Sequence, residues 1–263
     1  MKTSEETPLF AIERREAIIK LIEERSKVLV PELCDHFGVS PATIRTDLRE
    51  LEAVGRLKRT HGGAVPAGKA GFEPNTVHKQ VERVLEKRRI AEQAARYVED
   101  GDTILLDSGT TMMELAARLA GRTNLTVVTN DLRIAGFLEA NASATVVLVG
   151  GTVRRGFHCA LGPMAVAALS GLSVDRAFIA SNAVSIDKGF TTPGFDHAEL
   201  KKKMIEIASE TLVLADSAKL GRISFVRFAE FEEVDRFVTD KGMGAETIRA
   251  IREKCPEMDL VVV

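Results

Sequence analysis

The part of the chain after Gly101 alternates between short apolar runs and helical segments, which leaves few folds open. TILLD, TMMELAARLAG, LTVVT, DLRIAGFLEAN and TVVLVGG follow one another in a β-α-β-α-β pattern. The predicted strands are continuous apolar runs, and such runs between helices indicate strands that are covered on both faces. The sequence therefore predicts an α/β domain with a mostly parallel, Rossmann-like sheet.

The segments on either side extend this domain. The sequence predicts further strands at DRAFIAS, TLVLAD, RFVTD and LVVV, and further helices at Met164 to Ser170, His197 to Ser209 and Ala245 to Lys254. Upstream, apolar residues recur at helical spacing from Val77 onward, as far as Val98, and predict one long helix that ends near Gly101. Ligands of parallel sheets bind at the carboxyl ends of the strands, so the loops there are the candidate site.

The N-terminal part of the chain carries a different pattern. Residues 13–25 place Ile18 and Ile22 on one apolar stripe, and Val28 and Val30 fit a short strand. The segment PELCDHFG predicts a second short helix that ends at the glycine. A third helix follows from Ala42 to Leu51, with Ser40 as its N-cap and a proline in its first turn. Three short helices around a glycine turn predict a helix-turn-helix.

The third helix has an apolar face and a polar face. Ile44, Leu48 and Leu51 are spaced four and three apart and share the buried face. Two arginines and two threonines point largely the other way: Thr43, Arg45, Thr46 and Arg49. Arginine suits bidentate contact with guanine in the major groove, and hydroxyl groups commonly contact phosphates.

A basic hairpin follows this helix. The segment from Gly55 to Val65 alternates basic and apolar residues and turns at a glycine pair, which predicts a β-wing. Ser40 to Lys69 holds six basic and three acidic residues, a local charge of +3 in a chain whose net charge is -2. The alternative to a DNA-binding domain is a small helical docking module whose basic residues only solvate its outer face. The predicted DNA-binding residues are Ser40, Thr43, Arg45, Thr46, Arg49, Arg59 and His61.

Four loops at predicted strand ends carry residues suited to phosphate. Asp107-Ser108-Gly109-Thr110-Thr111 runs from a strand into a helix, whose first amides and positive dipole end attract anions. Each loop also has a local explanation, because a helix cap or a tight turn uses the same residue types. Arg155 stands beside Arg154, and either could face a ligand. The other predicted effector-binding residues are Asn130, Gly150, Gly151, Arg154, Asp216 and Lys219.

Other residue types exclude several classes of protein. Cys34, Cys159 and Cys255 lack metal or redox spacing, and His158 and His197 lack clustered partners, so we expect no metal site and no cofactor. No apolar run approaches the roughly 20 residues of a membrane span, and the N-terminus lacks the apolar core of a signal peptide. We expect a cytoplasmic protein with no membrane partner.

Two stretches resemble the DeoR family of bacterial regulators. The first is S-P-A-T-I-R-T-D-L followed by G-x-L-x-R-x-H-G-G-A, and the second comprises D-S-G-T-T, V-T-N, V-G-G, G-F-T-T-P and A-D-S-A-K. The resemblance implies a helix-turn-helix from Val30 to Arg49 and a wing that contacts the DNA backbone or minor groove. It further implies a sensor domain like the ribose-5-phosphate isomerase and CoA-transferase superfamily. Members commonly repress, and they commonly respond to sugar phosphates.

The predicted domain organisation is a winged helix-turn-helix over residues 10–65, a linker rich in Pro and Gly over 66–76 and an effector-binding domain over 77–263. The predicted function is that of a ligand-gated repressor of carbohydrate-metabolism genes. It would bind an operator in double-stranded DNA as a homodimer or homotetramer and leave it when a phosphorylated sugar binds.

Two other functions are compatible with the same residues. One is a phosphosugar isomerase that carries a DNA-binding module, with Asp107, Glu199 and Asp216 as candidate bases. The other is a constitutive DNA-binding protein whose larger domain only forms oligomers. Exposure to a panel of sugar phosphates distinguishes the three functions. Turnover indicates the enzyme, thermal stabilisation without turnover indicates the ligand-gated repressor, and no response indicates the constitutive DNA-binding protein.

Overall fold

The computed structural model describes residues 10–25, 28–60, 62–66, 73 and 76–263. The chain divides into two compact units, residues 1–78 and 79–263, and each has hydrophobic core residues of its own. Among the described residues, every helix is too short or too polar to cross a lipid bilayer. The predicted linker falls largely outside the described residues, which include only its positions 66, 73 and 76.

The N-terminal unit is the predicted winged helix-turn-helix. Its described elements are α1 (Ala11–Arg25), β1 (Val28–Leu29), α2 (Val30–Phe37), α3 (Pro41–Ala53), β2 (Leu57–Thr60) and β3 (Gly63–Pro66). The strands form an antiparallel sheet in the order β1-β3-β2. The predicted helices are therefore present, with ends that differ by one or two residues. The predicted strand is shorter than expected, because Val30 opens α2.

A small apolar core holds this unit together. Ile18 and Ile22 from α1, Ile44 and Leu48 from α3, and Leu57 from β2 are all buried in it. Burying a side chain of this size contributes about 1.5–3 kcal/mol. The sequence placed Arg45, Thr46 and Arg49 of α3 opposite the apolar face, so packing of that face directs these three residues to solvent.

Seven helices follow in the described part of the chain; the first, α4, crosses the boundary at residue 78, and the other six lie in the larger unit. They are α4 (Thr76–Val81), α5 (Val84–Ala95), α6 (Thr110–Leu119), α7 (Leu132–Asn141), α8 (Pro163–Leu169), α9 (Phe195–Glu206) and α10 (Ala245–Lys254). Short 3-10 turns lie at Ser217–Lys219 and Phe231–Glu233. The helices predicted near residues 164, 197 and 245 are all present.

Seven parallel strands form the main sheet. They are β4 (Thr103–Leu106), β5 (Thr126–Thr129), β6 (Thr145–Leu148), β9 (Val174–Ala180), β12 (Ala208–Leu214), β14 (Arg236–Thr239) and β15 (Asp259–Val262). Their order is β15-β14-β12-β9-β4-β5-β6, and every neighbouring pair is parallel. One buried apolar cluster includes residues from α5, α6 and α7, and another includes residues from α8, α9 and α10. The predicted mostly parallel α/β fold is confirmed.

Five further short strands lie outside this main sheet and were not predicted. They are β7 (Thr152–Arg154), β8 (Cys159–Leu161), β10 (Ala183–Ser185), β11 (Gly189–Thr192) and β13 (Val226–Ala229). The first two form a hairpin, and the other three form an antiparallel sheet in the order β10-β11-β13. Runs of three or four residues are too short for periodicity to identify.

The prediction of one long helix before β4 is wrong. The chain forms α4 and α5 instead, and Arg83 between them has a left-handed backbone with φ of +49°. Val81 is 76% exposed and Leu85 is 67% exposed, so these two residues do not belong to a continuous buried stripe. The side-chain contacts of Arg83, described below, explain where the helix breaks.

Candidate functional site

The exposed face of α3 carries most of the predicted DNA-binding residues. Arg45, Thr46 and Arg49 are exposed, whereas Thr43 is half-buried. Ser40 has a local role, because its Oγ accepts a hydrogen bond from the Thr43 N–H at 3.2 Å and lies 2.9 Å from the Thr43 hydroxyl. The arginines and Thr46 are therefore presented to solvent, and Ser40 caps the helix that carries them.

A buried ion pair that we did not predict orients this helix. The Arg14 Nε donates to Asp47 Oδ2 at 2.6 Å and its Nη2 donates to Oδ1 at 3.3 Å, with both side chains largely buried. The pair joins α1 to α3. A signal was present in the sequence, because Asp47 is three residues after Ile44 and four before Leu51 and so lies on the buried face.

The wing is attached to the end of the same helix. The Arg59 N–H donates to Glu52 Oε1 at 2.8 Å, and the Arg59 Nε lies 3.0 Å from Glu52 Oε2. Arg59 is exposed, and its guanidinium is paired with Glu52. His61 lies outside the described residues. An open cavity with a volume of about 800 Å³ lies between α2, α3 and the wing, and Arg45 and Arg59 are among the residues that line it.

In the larger unit, the loop after β4 leads directly into α6. Gly109 has φ of +131° and is the N-cap of α6, which no side chain caps. The N–H groups of Thr110 and Thr111 lie in the first turn, where a helix offers no internal acceptors. This geometry gives the loop backbone donors at the positive end of a helix dipole.

Asp107 is held beneath this loop by contacts that the sequence did not predict. Its Oδ1 accepts from the Ser108 N–H at 2.7 Å, and its Oδ2 accepts from the Ala180 N–H at 3.1 Å. The same carboxylate forms an ion pair with Lys201 of α9, whose Nζ also donates to the Ala180 carbonyl at 2.8 Å. Asp107 and Lys201 are both buried. They position the loop rather than present a charge to solvent.

The residues that end β5 are completely buried. Asn130 donates from Nδ2 to the Ala160 carbonyl at 3.0 Å, while its Oδ1 has no hydrogen-bond partner within the described structure. Asp131 accepts from the Gly109 N–H at 3.2 Å and from the Arg133 N–H at 2.8 Å. The single carboxylate of Asp131 therefore caps α7 and also holds the loop before α6. This double role was not predicted from the sequence.

The glycines after β6 allow a close backbone approach. Gly151 has φ of +155°, and a Cβ built there would lie 2.6 Å from the Leu161 carbonyl oxygen. Gly150 is exposed and is free of any such crowding. Of this pair, only Gly151 is required by packing.

Arg154 and Arg155, which the sequence could not distinguish, have different environments. Arg154 is half-buried, its Nη1 donates to His197 Nε2 at 3.1 Å, and its guanidinium lies 3.5 Å from the centre of the Phe157 ring. Arg155 is exposed. The stacking and the hydrogen bond fix the guanidinium of Arg154 in one orientation.

Asp216 and Lys219 stand apart from the loops of β4 to β6. They follow β12, which is two strands from β4, a separation of about 10 Å. The Arg83 Nε lies 3.2 Å from Asp216 Oδ1, and Arg83 Nη2 contacts Asp240 Oδ2 at 3.1 Å and Ser217 Oγ at 2.9 Å. Asp216 is thus occupied by Arg83, while Lys219 is half-buried in the adjoining 3-10 turn.

Lys87 completes this second group of charges. Burial lowers the pKa of Lys87, and the attraction of Asp216 only partly offsets that effect, while Lys219 lowers the pKa further. The Lys87 ammonium donates to the Glu82 carbonyl at 2.6 Å and also to the Lys79 carbonyl. Lys87 and Arg83 together secure the break between α4 and α5.

The described residues contain no group of His, Cys, Asp or Glu arranged to hold a metal ion. The three cysteines are free thiols, and Cys159 and Cys255 are buried. Burial raises the pKa of the Cys159 thiol to about 11, which disfavours the reactive thiolate.

Two family models match the chain, one in each unit. The DeoR-like helix-turn-helix domain matches residues 14–69, and the DeoR C terminal sensor domain matches residues 82–241. The first match includes α2, α3 and the wing. The second includes every loop that we have described at the carboxyl ends of β4, β5, β6 and β12.

Named regulators are similar over nearly the whole chain. The HTH-type transcriptional regulator GlpR of Haloferax volcanii is 39% identical over 252 residues, which is 95% of this chain and 96% of that protein. The putative aga operon transcriptional repressor of Escherichia coli O157:H7 is 31% identical over 251 residues, 95% of this chain and 93% of that protein.

A partial likeness in fold links the chain to a solved enzyme structure. Ribose 5-phosphate isomerase A from Methanocaldococcus jannaschii aligns at 22% identity with a TM-score of 0.36, over 51% of this chain and 53% of that chain. Nothing about ligands or activity follows from a likeness of this size.

Proposed function

The chain belongs to the DeoR family of DNA-binding transcriptional regulators, and we propose that it represses carbohydrate-metabolism genes until a phosphorylated sugar releases it from its operator. In this proposal residues 10–65 bind DNA, residues 77–263 sense the effector and residues 66–76 link them. The protein acts in the cytoplasm, where its operator is found, as a homodimer or homotetramer.

The observation that carries the DNA-binding part is the separation of the two faces of α3. Arg45 and Arg49 are exposed on one face, while Ile44 and Leu48 are buried on the other. A helix presented in this way fits the major groove, where each guanidinium can form two hydrogen bonds with guanine. Arg59 in the wing and the hydroxyl of Thr46 are suited to phosphates. His61 and Thr43 stay in the proposed set.

For the effector, the exposed and half-buried predicted residues are the proposed contacts. The amides of Thr110 and Thr111 at the N-terminus of α6 would bind phosphate, with the Arg154 guanidinium as a charged partner. Gly109, whose own N–H donates to Asp131, would let the loop backbone approach the ligand. Gly150 and Gly151 would let the backbone approach the sugar. Asp107 and Asn130 are buried, so we assign them a positioning role.

Asp216 and Lys219 have separate roles in this proposal. Asp216 is paired with Arg83, and it therefore positions the 3-10 turn that carries Lys219. The Lys219 ammonium would contact an effector that extends across β9 toward β12. This assignment accounts for the distance between β4 and β12.

The isomerase alternative is not favoured. The curated relatives are named transcriptional regulators and repressors, and two of its candidate bases already have partners: Asp107 pairs with Lys201 and Asp216 pairs with Arg83.

The test uses the full-length protein and a DNA fragment that the protein selects from a random pool. Thermal unfolding is measured with sugar phosphates, with the corresponding free sugars and with inorganic phosphate. An effector at 100 times its Kd stabilises the native state by about 2.7 kcal/mol. We expect one sugar phosphate to raise Tm and to release the DNA in an anisotropy titration, without turnover. Turnover would support the isomerase, and no response to any compound would support the constitutive scaffold.

A further inference from the structure

Strand β6 ends the main sheet with an unprotected edge. It pairs with β5 on one side, and no strand among the described residues pairs with the other side. From Ala140 to Val153, a stretch that contains β6, the chain has no charged residue and no proline, although 28% of all residues are charged. The opposite edge, β15, begins with Asp259.

The side chains of this edge are apolar and exposed. Val147 is 38% exposed and Leu148 is 47% exposed, and Val153 in the following strand is 55% exposed. Edge strands of monomeric proteins are usually protected by lysine, proline, a bulge or a covering loop, because open edges pair with other chains. Since β6 contains neither lysine nor proline and pairs with β5 in a regular register, its outer edge is suited to pairing with another chain.

The backbone of β6 offers donors to a partner. The Thr145 N–H donates to the Leu125 carbonyl at 2.8 Å and the Val149 N–H donates to the Thr129 carbonyl at 2.8 Å, so both point toward β5. Successive backbone N–H groups along a strand point to opposite sides, so the N–H groups of Val146 and Leu148 point outward.

We propose that the β6 edge pairs antiparallel with the β6 edge of a second copy of this chain, so that two seven-stranded sheets become continuous. Antiparallel pairing about a two-fold axis sets this stretch against itself, so residues near the axis lie beside their own copies and a charge there would meet a like charge. A stretch without charge is therefore suited to a symmetric contact, and an open edge supplies donors and acceptors to itself. The occupant is accordingly a second copy rather than an unrelated protein.

This inference rests on the proposed function in one respect, since a winged helix-turn-helix that reads a two-fold operator needs a second copy. It also extends that function. Only Val149 separates β6 from Gly150 and Gly151, so the proposed contact between copies and the proposed effector site lie on one short segment. A ligand at these glycines would act on the pairing through a single segment.

The first experiment is sedimentation equilibrium of the full-length protein without DNA. Leu148→Glu introduces two like charges, one from each copy, into one short apolar contact, and we expect it to weaken the dimer about a hundredfold or more. The matched control is Ile223→Glu, an apolar residue that is 57% exposed outside β6 and should leave the dimer unchanged. Circular dichroism establishes that each variant is folded.

A second pair of variants tests the backbone of the edge. Leu148→Pro removes the outward N–H and no bond to β5, whereas Leu148→Ala removes only the side chain. Proline should weaken the dimer more than alanine does. A monomeric wild-type protein, a Leu148→Glu variant as dimeric as the wild type, or equal effects of proline and alanine would each overturn the proposal. The sugar-phosphate stabilisation is measured in parallel, and its absence with an intact β6 dimer would contradict only the proposed function.

Discussion

Single residues at the carboxyl end of the sheet show how buried charges are accommodated. Asp107 is paired with Lys201, and Arg83 is shared by Asp216 and Asp240. Because an isolated buried charge is costly, removing one member of such a pair typically destabilises a protein by about 3–5 kcal/mol. These residues therefore hold the loops in place, and the exposed residues beside them remain for the ligand.

The environment of Asp240 predicts how the stability of the protein depends on pH. Burial raises the pKa of its carboxyl group, but hydrogen bonds from the Ser217 and Gly242 N–H groups and from the Ser217 hydroxyl, together with the Arg83 charge, lower it overall. A carboxylate with a lowered pKa stabilises the native state above its unfolded pKa, near 3.8, and this contribution is lost as pH falls through the folded pKa. We expect Asp240→Asn to lower the free energy of unfolding at pH 7 and to approach the wild type near pH 3.

Urea denaturation from pH 3 to pH 7 checks this expectation. Asp187→Asn, at an exposed position, is the control and should follow the wild type throughout. A difference between Asp240→Asn and the wild type that stays constant with pH would show that the carboxylate charge is not responsible.

At the scale of elements, α3 joins a structural face to a recognition face. Its buried side contains Asp47 among apolar residues, and the bidentate contact from Arg14 sets the rotation of the helix against α1. Its exposed side carries Arg45 and Arg49. The orientation of the arginines is thus decided by contacts on the far side of the helix.

Alanine at either exposed arginine of α3 should affect DNA and little else. If the guanidinium makes a bidentate base contact, Arg45→Ala or Arg49→Ala weakens operator binding by about 1–3 kcal/mol and relaxes sequence preference at one base pair. Anisotropy titrations with operator variants measure both effects. Lys58→Ala on the exposed wing is a comparison that should weaken all sequences about equally and reduce the salt dependence. An Arg45→Ala, Arg49→Ala double variant with unchanged affinity would exclude this face.

For the whole molecule, the proposed regulation requires coupling between the operator and the effector. Coupling free energies between sites are reciprocal, so an effector that weakens DNA binding must itself bind more weakly to the DNA complex by the same factor. The break between α4 and α5, secured by Arg83 and Lys87, lies at the start of the larger unit and close in sequence to the boundary at residue 78.

We expect the two measured factors to agree, at about 5- to 150-fold. Isothermal titration of the effector into the free protein and into the DNA complex gives one factor, and DNA titration with and without effector gives the other. An effector that binds both forms equally while DNA is still released would mean that release occurs through a covalent or kinetic step instead.

Much of the fold follows from local sequence patterns. The apolar runs of β4, β5 and β6, the capped start of α3 and the two faces of that helix were all predicted correctly, because strand and helix periodicity depends on neighbouring residues. The loops at the strand ends could be located for the same reason, since strand direction in a parallel sheet assigns every carboxyl end to one edge.

The pairing of distant residues was decided by the tertiary structure. In the sequence, Lys201 and Arg14 are indistinguishable from ordinary surface charges. In the structure they pair with Asp107 and Asp47, which are 94 and 33 residues away along the chain. The break at Arg83 likewise depends on Asp216 and Asp240, which follow β12 and β14. The sequence by itself determined which segments become helices, strands and candidate loops, because those choices are local. Only the three-dimensional packing decided which polar residues are buried in pairs and which face a ligand, because burial depends on contacts between segments far apart in the chain.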